Sequence, residues 1–297
     1  MKWMKTKMIK VQVLLSLLGI VYCSTAIAQQ QQQTSKSLLW EISGNGLQEP
    51  SYLFGTIHMI CKEDFLLSET AKQKFNSSKQ VYLELDMDDP QLQMRMMQEL
   101  QLPSNESLKN KFNESDFKAL DAFLVKEMNM NLAVFDQFKP MMVMSLLAQR
   151  LLPCAEMESY EMNFVKMASE QKKELLGLEK VEDQLAVFDA IPDSLEIRSI
   201  MNMVNDFDGQ RKEFMRLSTL YKSQDLEALY QLMSESPEMM GSQELLLDRR
   251  NRNWILVMEP VMKKSSTFFA VGAGHLGGKQ GVLELLRKQG YTVKAIQ

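Results

Sequence analysis

The stretch SSTFFAVGAGHLGGKQGVLELLRKQGYTVKAI, residues 265–296, decides the fold. Its opening run is apolar and aromatic and ends among glycines around His275, which reads as a strand running into a loop. KQGVLELLRKQG (279–290) has helical spacing, with Gly290 as its C-cap, and YTVKAI reads as a last strand. Strand, helix and strand at this spacing make a βαβ unit, normally right-handed.

The other end of the chain carries matching sheet material. SLLWEISGNG (37–46) and SYLFGTIHM (51–59) read as a hairpin across a Gly/Asn/Pro turn. EDFLLSETAKQKFNSSK (63–79) has a helical period, with Phe65, Leu66, Ala71 and Phe75 near one face. QVYLELDMD (80–88) alternates as a strand, Val81, Leu83 and Leu85 against Tyr82, Glu84 and Asp86. From Gln91 to about Gln171 helix follows helix, broken at Pro103, Pro140 and Pro153. KELLGLE (173–179) is a short strand, and a second helical block runs from Val181 to about Lys264, broken by IPDS, DFDG, SQD and SPEMMG. The expected class is α/β: a mixed sheet built from N-terminal and C-terminal strands, with a large helical insertion over about 90–264.

Residues 1–28 read as an export signal: Lys2, Lys5, Lys7 and Lys10, then the apolar VQVLLSLLGIVY, then the small-x-small AIA. An uncut anchor is the alternative, although the run is short for a span of roughly 20 residues. Residues 29–36 form a polar leader and 37–297 one domain, with no later stretch long and apolar enough for a membrane. Losing four lysines with the signal takes the net charge from −4 to −8. An acidic domain is poorly suited to nucleic acid. The expected place is periplasmic or secreted. There, Cys61 and Cys154 can form one disulfide, contributing about 4–5 kcal/mol by chain entropy, or stay as buried thiols. The 24 methionines read as fillers of helical cores rather than soft-metal ligands.

Both histidines of the chain sit in one setting, Gly-x-x-His after an apolar strand: Gly55–His58 and Gly272–His275. A glycine there permits positive φ or the close approach of a ligand or another backbone, and the histidine emerges at a strand's C-terminal end. Gly272, Gly274, Gly277 and Gly278 around His275 suggest a loop of exposed amides. Two imidazoles need a carboxylate to make a common hydrolytic metal site, and Glu84, a charge inside an apolar strand, is the best partner. A rim glutamate facing water is the plainer alternative for Glu84, as a satisfied structural imidazole is for each histidine.

YLFGTIHM near the start and FFAVGAGHLGGKQGVLELLRKQGYTV at the end resemble the TraB/GumN family, which is related to the Tiki metalloproteases. VYLELD, LLGLEKVEDQ and DRRNRNW fall between them in that family's order. The resemblance implies an α/β core of the erythromycin-esterase/ChaN type and a divalent-metal-dependent hydrolase (Mn, Co or Zn), peptide-cleaving in the Tiki branch. By position it implies His58, His275 and Glu84 as metal and catalytic residues. It adds Arg250 as a cation for a substrate carboxylate or oxyanion, with Arg252 as the other register of RRNRN. Glu179 follows as ligand, base or cap, with Gly55 and Gly272 as motif glycines. The expected function is an exported hydrolase acting on a peptide or small-molecule substrate. The competing readings are a ligand-binding protein without catalysis and a metal-free esterase-like or haem pocket.

Overall fold

The computed structural model describes residues 36–236, 239 and 242–297. The expected export signal, the leader up to residue 35 and part of SPEMMG lie outside the described residues.

Six strands share one sheet in the order β6 (Leu175–Gly177), β4 (Gln80–Leu83), β7 (Thr267–Gly272), β2 (Ser51–Thr56), β1 (Leu39–Ser43), β8 (Thr292–Ile296). The first four are parallel to their neighbours, and β1 is antiparallel to both β2 and β8. Strands from both ends of the chain therefore lie side by side, and the sheet is mixed as expected. The two strands of the C-terminal unit point the same way but do not touch: the N-terminal hairpin β1–β2 is inserted between them. The helix Val282–Lys288 spans this gap, and Gly290, at φ +90°, ends its turn as the expected C-cap.

β7 is buried on both faces because strands flank it and helices cover it. Phe268 on one face meets Phe75 and Phe164, each with ring centroids at 5.2 Å. The same double burial explains one departure from the sequence reading. QVYLELDMD does not alternate across an exposed face: Val81, Tyr82, Leu83, Glu84 and Leu85 are all buried, and the strand stops at Leu83. Glu84 is thus the first residue beyond the strand. A second departure is the helix expected over 63–79, which forms only at Glu69–Ser77. There Ser68 accepts from the Ala71 N–H as N-cap, while Leu66 ahead of it stays exposed.

The middle of the chain is helical, at Leu92–Glu99, Glu114–Met128, Pro140–Arg150, Tyr160–Gln171, Val181–Asp189, Asp193–Asn205, Phe207–Lys222, Leu226–Ser234 and Arg249–Lys264. It also returns β6 to the sheet and supplies β5 (Met157–Glu158), which pairs with β3 (Ile60–Cys61). Beside that pairing Cys61 and Cys154 form a disulfide, Cα–Cα 5.7 Å. Helices 114–128, 140–150 and 193–205 enclose a core of their own around Leu120, Leu124, Val143, Leu147 and Ile200. Met142 and Met144 pack against it, which suits methionine as filler. No helix among the described residues is long and apolar enough to cross a membrane.

Candidate active site at the strand ends

The four parallel strands β6, β4, β7 and β2 end at one edge of the sheet, and each hands a polar side chain to that edge within three residues. β6 is followed by Glu179, β4 by Glu84, β7 by His275 and β2 by His58. Crevices beyond the carboxyl ends of parallel strands are where open α/β sheets place their sites.

Arg250 gathers three of the four. It projects from the first turn of the helix Arg249–Lys264, directly after a π-helical turn at Glu244–Asp248. Its Nη2 donates to Glu84 Oε2 and to Glu179 Oε1, both at 2.6 Å, its Nε reaches Glu179 at 3.0 Å, and its Nη1 lies 3.2 Å from His275 Nε2. Arg252, the other register of RRNRN, lies at the surface paired with Glu244. The next residue, Asn251, is buried and fixes the histidine. Its Nδ2 donates to the Gln280 carbonyl at 2.9 Å, so its Oδ1 accepts from His275 Nδ1–H at 2.6 Å. That assigns the tautomer: Nε2 carries no proton and accepts from Arg250. Trp254, one turn on, stacks near His275 at 4.4 Å and donates Nε1–H to Glu179 Oε2 at 3.1 Å.

Burial by itself would raise the Glu84 carboxyl, but His275, Arg250 and His58 facing it, with the Gly272 amide, bring it down to about 2. His275 is pushed down to about 3, chiefly by burial, so at neutral pH it is uncharged and Arg250 is the permanent cation beside Glu84. Glu179 is raised, first by burial, against the pull of Arg250. Burial opposes the Arg250 charge, yet the two carboxylates hold it above its ordinary value.

His58 stands apart. Its side chain is 72% exposed, and Nδ1 lies 3.1 Å from Glu161, which also accepts from Thr56 and Ser159 at 2.6 and 2.9 Å. The Glu161 contact raises the imidazole to about 9, against the lowering effect of its surroundings. Water around the open ring screens this pair, so its worth in stability is that of a surface ion pair. His58 feels the charges of Glu84 and Arg250 but bonds to neither.

The motif glycines act through space rather than through unusual backbone angles, and none of them has positive φ. A Cβ on Gly272 would sit 3.2 Å from Glu84 Oε1, the oxygen that the Gly272 N–H holds at 2.8 Å. On Gly55 it would press on Ala273 and Leu276 at 3.2 Å, and on Gly274 it would meet Met233. The loop around His275 is not a row of exposed amides, since Gly274, His275 and Leu276 are buried.

Whether a divalent ion suits these residues turns on free donor atoms. Glu84, Glu179 and Arg250 sum to one negative charge, which would welcome a cation. Yet Glu84 Oε1 is held by Gly272, Oε2 by Arg250 and Gln184, and His275 Nε2 by Arg250. No group of three His, Cys, Asp or Glu placed to hold a metal occurs among the described residues. As these side chains stand, they do not fit a bound divalent ion: the guanidinium engages the donor atoms of Glu84 and His275, and His58 Nδ1 faces Glu161.

Sequence reasoning did not single out Glu161, Gln184, Asn251 or Trp254. Trp254 follows Arg250 by four positions and Asn251 by three, spacings that bring side chains together along one flank of a helix. Gln184, bonded to both Glu84 and Glu179, lies three residues into the helix that follows Glu179. Glu161 carries no local signal, because its meeting with His58 joins positions separated by 103 residues.

No solved structure matches the chain. Among curated proteins it is similar to metalloprotease TIKI2 of Danio rerio, 23% identical over 89% of this chain and 61% of that one. It is similar also to metalloprotease TIKI1 of Danio rerio, 23% identical over 89% and 64%, and to the metalloprotease TIKI homolog of Nematostella vectensis, 21% identical over 90% and 68%. The chain spans about three fifths of the length of the first of these relatives. The TraB/PrgY/gumN family matches residues 38–295, the whole sheet together with the site at its edge, and the chain belongs to that family.

Proposed function

We propose that this chain is an exported hydrolase that cleaves peptide bonds at the strand-end site. The observation that carries the reading is the buried cluster of Glu84, Glu179, Arg250 and His275 beside the open pair His58–Glu161. Relatives named metalloproteases support it at low identity, and the disulfide suits an oxidising compartment. In this reading a substrate carboxylate, or the charge that develops on an attacked carbonyl oxygen, displaces one of the two Arg250 Nη1 contacts, to the Leu246 carbonyl or to His275 Nε2, and takes its place. The exposed His58, held in its charged form by Glu161, gives a proton from its Nε2 to the leaving amine. Glu84 and Glu179 hold the guanidinium in place, and neutral His275 steadies its Nη1. No step is drawn through a metal.

One observation favours a second reading. All five N–H groups of Arg250 bond within the chain, which suits a cluster that shapes the floor of a peptide-binding cleft and takes no part in cutting. A peptide-library digest, run with chelator and with added Mn, Co or Zn, separates the two. Turnover that is lost in Glu84→Gln and His58→Ala, while the fold by circular dichroism is kept, supports the hydrolase. Peptide binding with no cleavage under any of these conditions overturns it in favour of the binder.

A further inference from the structure

Away from the strand ends, a cavity of about 290 Å³ opens between the helices 140–150, 181–189 and 193–205 and the loop after Glu99. Its charges are unevenly matched. Lys111 pairs with Glu106 and Asp193, both at 2.8 Å, and Lys139 with Asp189 at 2.5 Å. Two lysines thus answer three of the five lining acids. The half-buried Glu99 and the buried Glu196 join no ion pair among the described residues; Glu196 lines this cavity and the smaller one beside it and is only 6% exposed.

Among the described residues the Glu196 carboxylate accepts no hydrogen bond and joins no ion pair. It sits in the first turns of the helix Asp193–Asn205, where the helix dipole favours a negative charge but supplies no partner at its oxygens. Burial first, then the charges of Asp193 and Asp189, push its carboxyl up to about 7, so it gives up its charge readily unless a cation sits beside it. Leu185, Phe188 and Met141 are among the apolar residues that line the same cavity. The pocket therefore offers a buried, unpartnered carboxyl together with apolar side chains.

We propose that this cavity is a binding site for an alkylammonium group on an apolar arm, of the kind a lysine side chain of a peptide presents. The volume suits a single side chain, near the lower end of the range for small-ligand pockets. An ammonium at Glu196 supplies the missing charge, while its methylenes cover Phe188 and Leu185. The site stands apart from the Arg250 cluster, and its existence does not depend on the catalytic reading. The two regions touch one element, the helix Val181–Asp189, which turns Gln184 to the cluster and Leu185 and Phe188 to the cavity.

The test is calorimetric titration of the full chain with Nα-acetyl-lysinamide, and with Nα-acetyl-norleucinamide as its uncharged counterpart. The lysine probe is expected to bind at least tenfold more tightly than the norleucine probe, and at least tenfold more weakly to Glu196→Gln than to the native chain. Removing an unpaired buried charge leaves the fold of that variant intact or firmer. The comparison of the two probes on the native chain stands even if the variant misfolds. Equal binding of the two probes, undiminished lysine binding in a folded Glu196→Gln, or no binding of either probe would each overturn the proposal.

Discussion

Arg250 and Glu84 meet at 2.6 Å, Nη2 to Oε2, with both side chains almost wholly buried. Removing one partner of such a pair leaves the other charge stranded, at a cost of about 3–5 kcal/mol. Arg250→Met strands two carboxylates, so its unfolding free energy from urea denaturation is expected to fall by that order at pH 7. Acid weakens the same contact in the native chain. Glu84 has a folded value of about 2, below its ordinary 4.5, so its contribution is present above pH 4.5 and is lost as pH falls through 2. His275 has the same sign, because the unfolded chain takes up its proton near pH 6.5 and the folded chain only near 3. The contribution of these two groups should therefore decline from pH 6.5 downward, and the native chain should lose more stability between pH 6.5 and 3 than a Glu84→Gln variant does. Equal acid losses in the two would contradict the depressed value of Glu84.

The disulfide joins residues 93 apart and ties β3 to the segment just before β5. Closing a loop of that length is worth about 4–5 kcal/mol by chain entropy. The double variant Cys61→Ser/Cys154→Ser, or native protein held in reductant, should lose stability of that order in chemical denaturation. Thiol titration of the oxidised native chain should find neither cysteine free. If the variant matches the native midpoint, the loop is held by its packing instead.

The sheet was legible at its two ends because the patterns there are local. The hairpin announces itself by its turn, and the last strand and helix by their periods and Gly290. Less legible was the centre. A strand buried on both faces loses its alternation, so β4 gave no sign of where it ends, and Glu84 read as mid-strand when it is the first residue past Leu83. The order of strands depends on pairings between distant segments, and no local period encodes the insertion of β1 and β2 between β7 and β8. At the site, the twin Gly-x-x-His motifs marked two neighbouring strand ends correctly. What they could not convey is that the two histidines end in opposite surroundings, His275 neutral and enclosed, His58 open and paired with Glu161. That difference comes from the helix bearing Asn251 and Trp254 on one side and the helix bearing Glu161 on the other.

The glycines of the C-terminal loop should rank by what a methyl group would strike. On Gly281 it would lie 2.1 Å from the Gly277 carbonyl oxygen, a backbone atom that cannot yield. On Gly272 it would crowd Glu84 Oε1 at 3.2 Å, and on Gly274 it would press the flexible tip of Met233 at 2.6 Å. Overpacking of this kind costs about 1–3 kcal/mol, and more where nothing can move. Thermal unfolding of the three alanine variants should place Gly281→Ala lowest and Gly274→Ala nearest to native. Under the hydrolase reading proposed above, Gly272→Ala should lose more turnover than stability. An equal loss at positions 274 and 281 would mean that Met233 is as rigid as backbone.

With two histidines in the chain, proton magnetic resonance can follow each ring separately. His58 should titrate well above 6.5, toward about 9, because Glu161 favours its charged form. Glu161→Gln removes that charge and should bring the value down toward 6.5, with the fold unchanged since the ring is open to water. A raised folded value has the opposite linkage to the acid loss of Glu84: whatever stability the pair adds is complete below pH 6.5 and disappears as pH rises through 9. His275 should show no titration above pH 4, its Nδ1–H fixed on Asn251 and its Nε2 facing Arg250. If both rings instead titrate near 6.5, neither the Glu161 pairing nor the enclosure of His275 holds in solution.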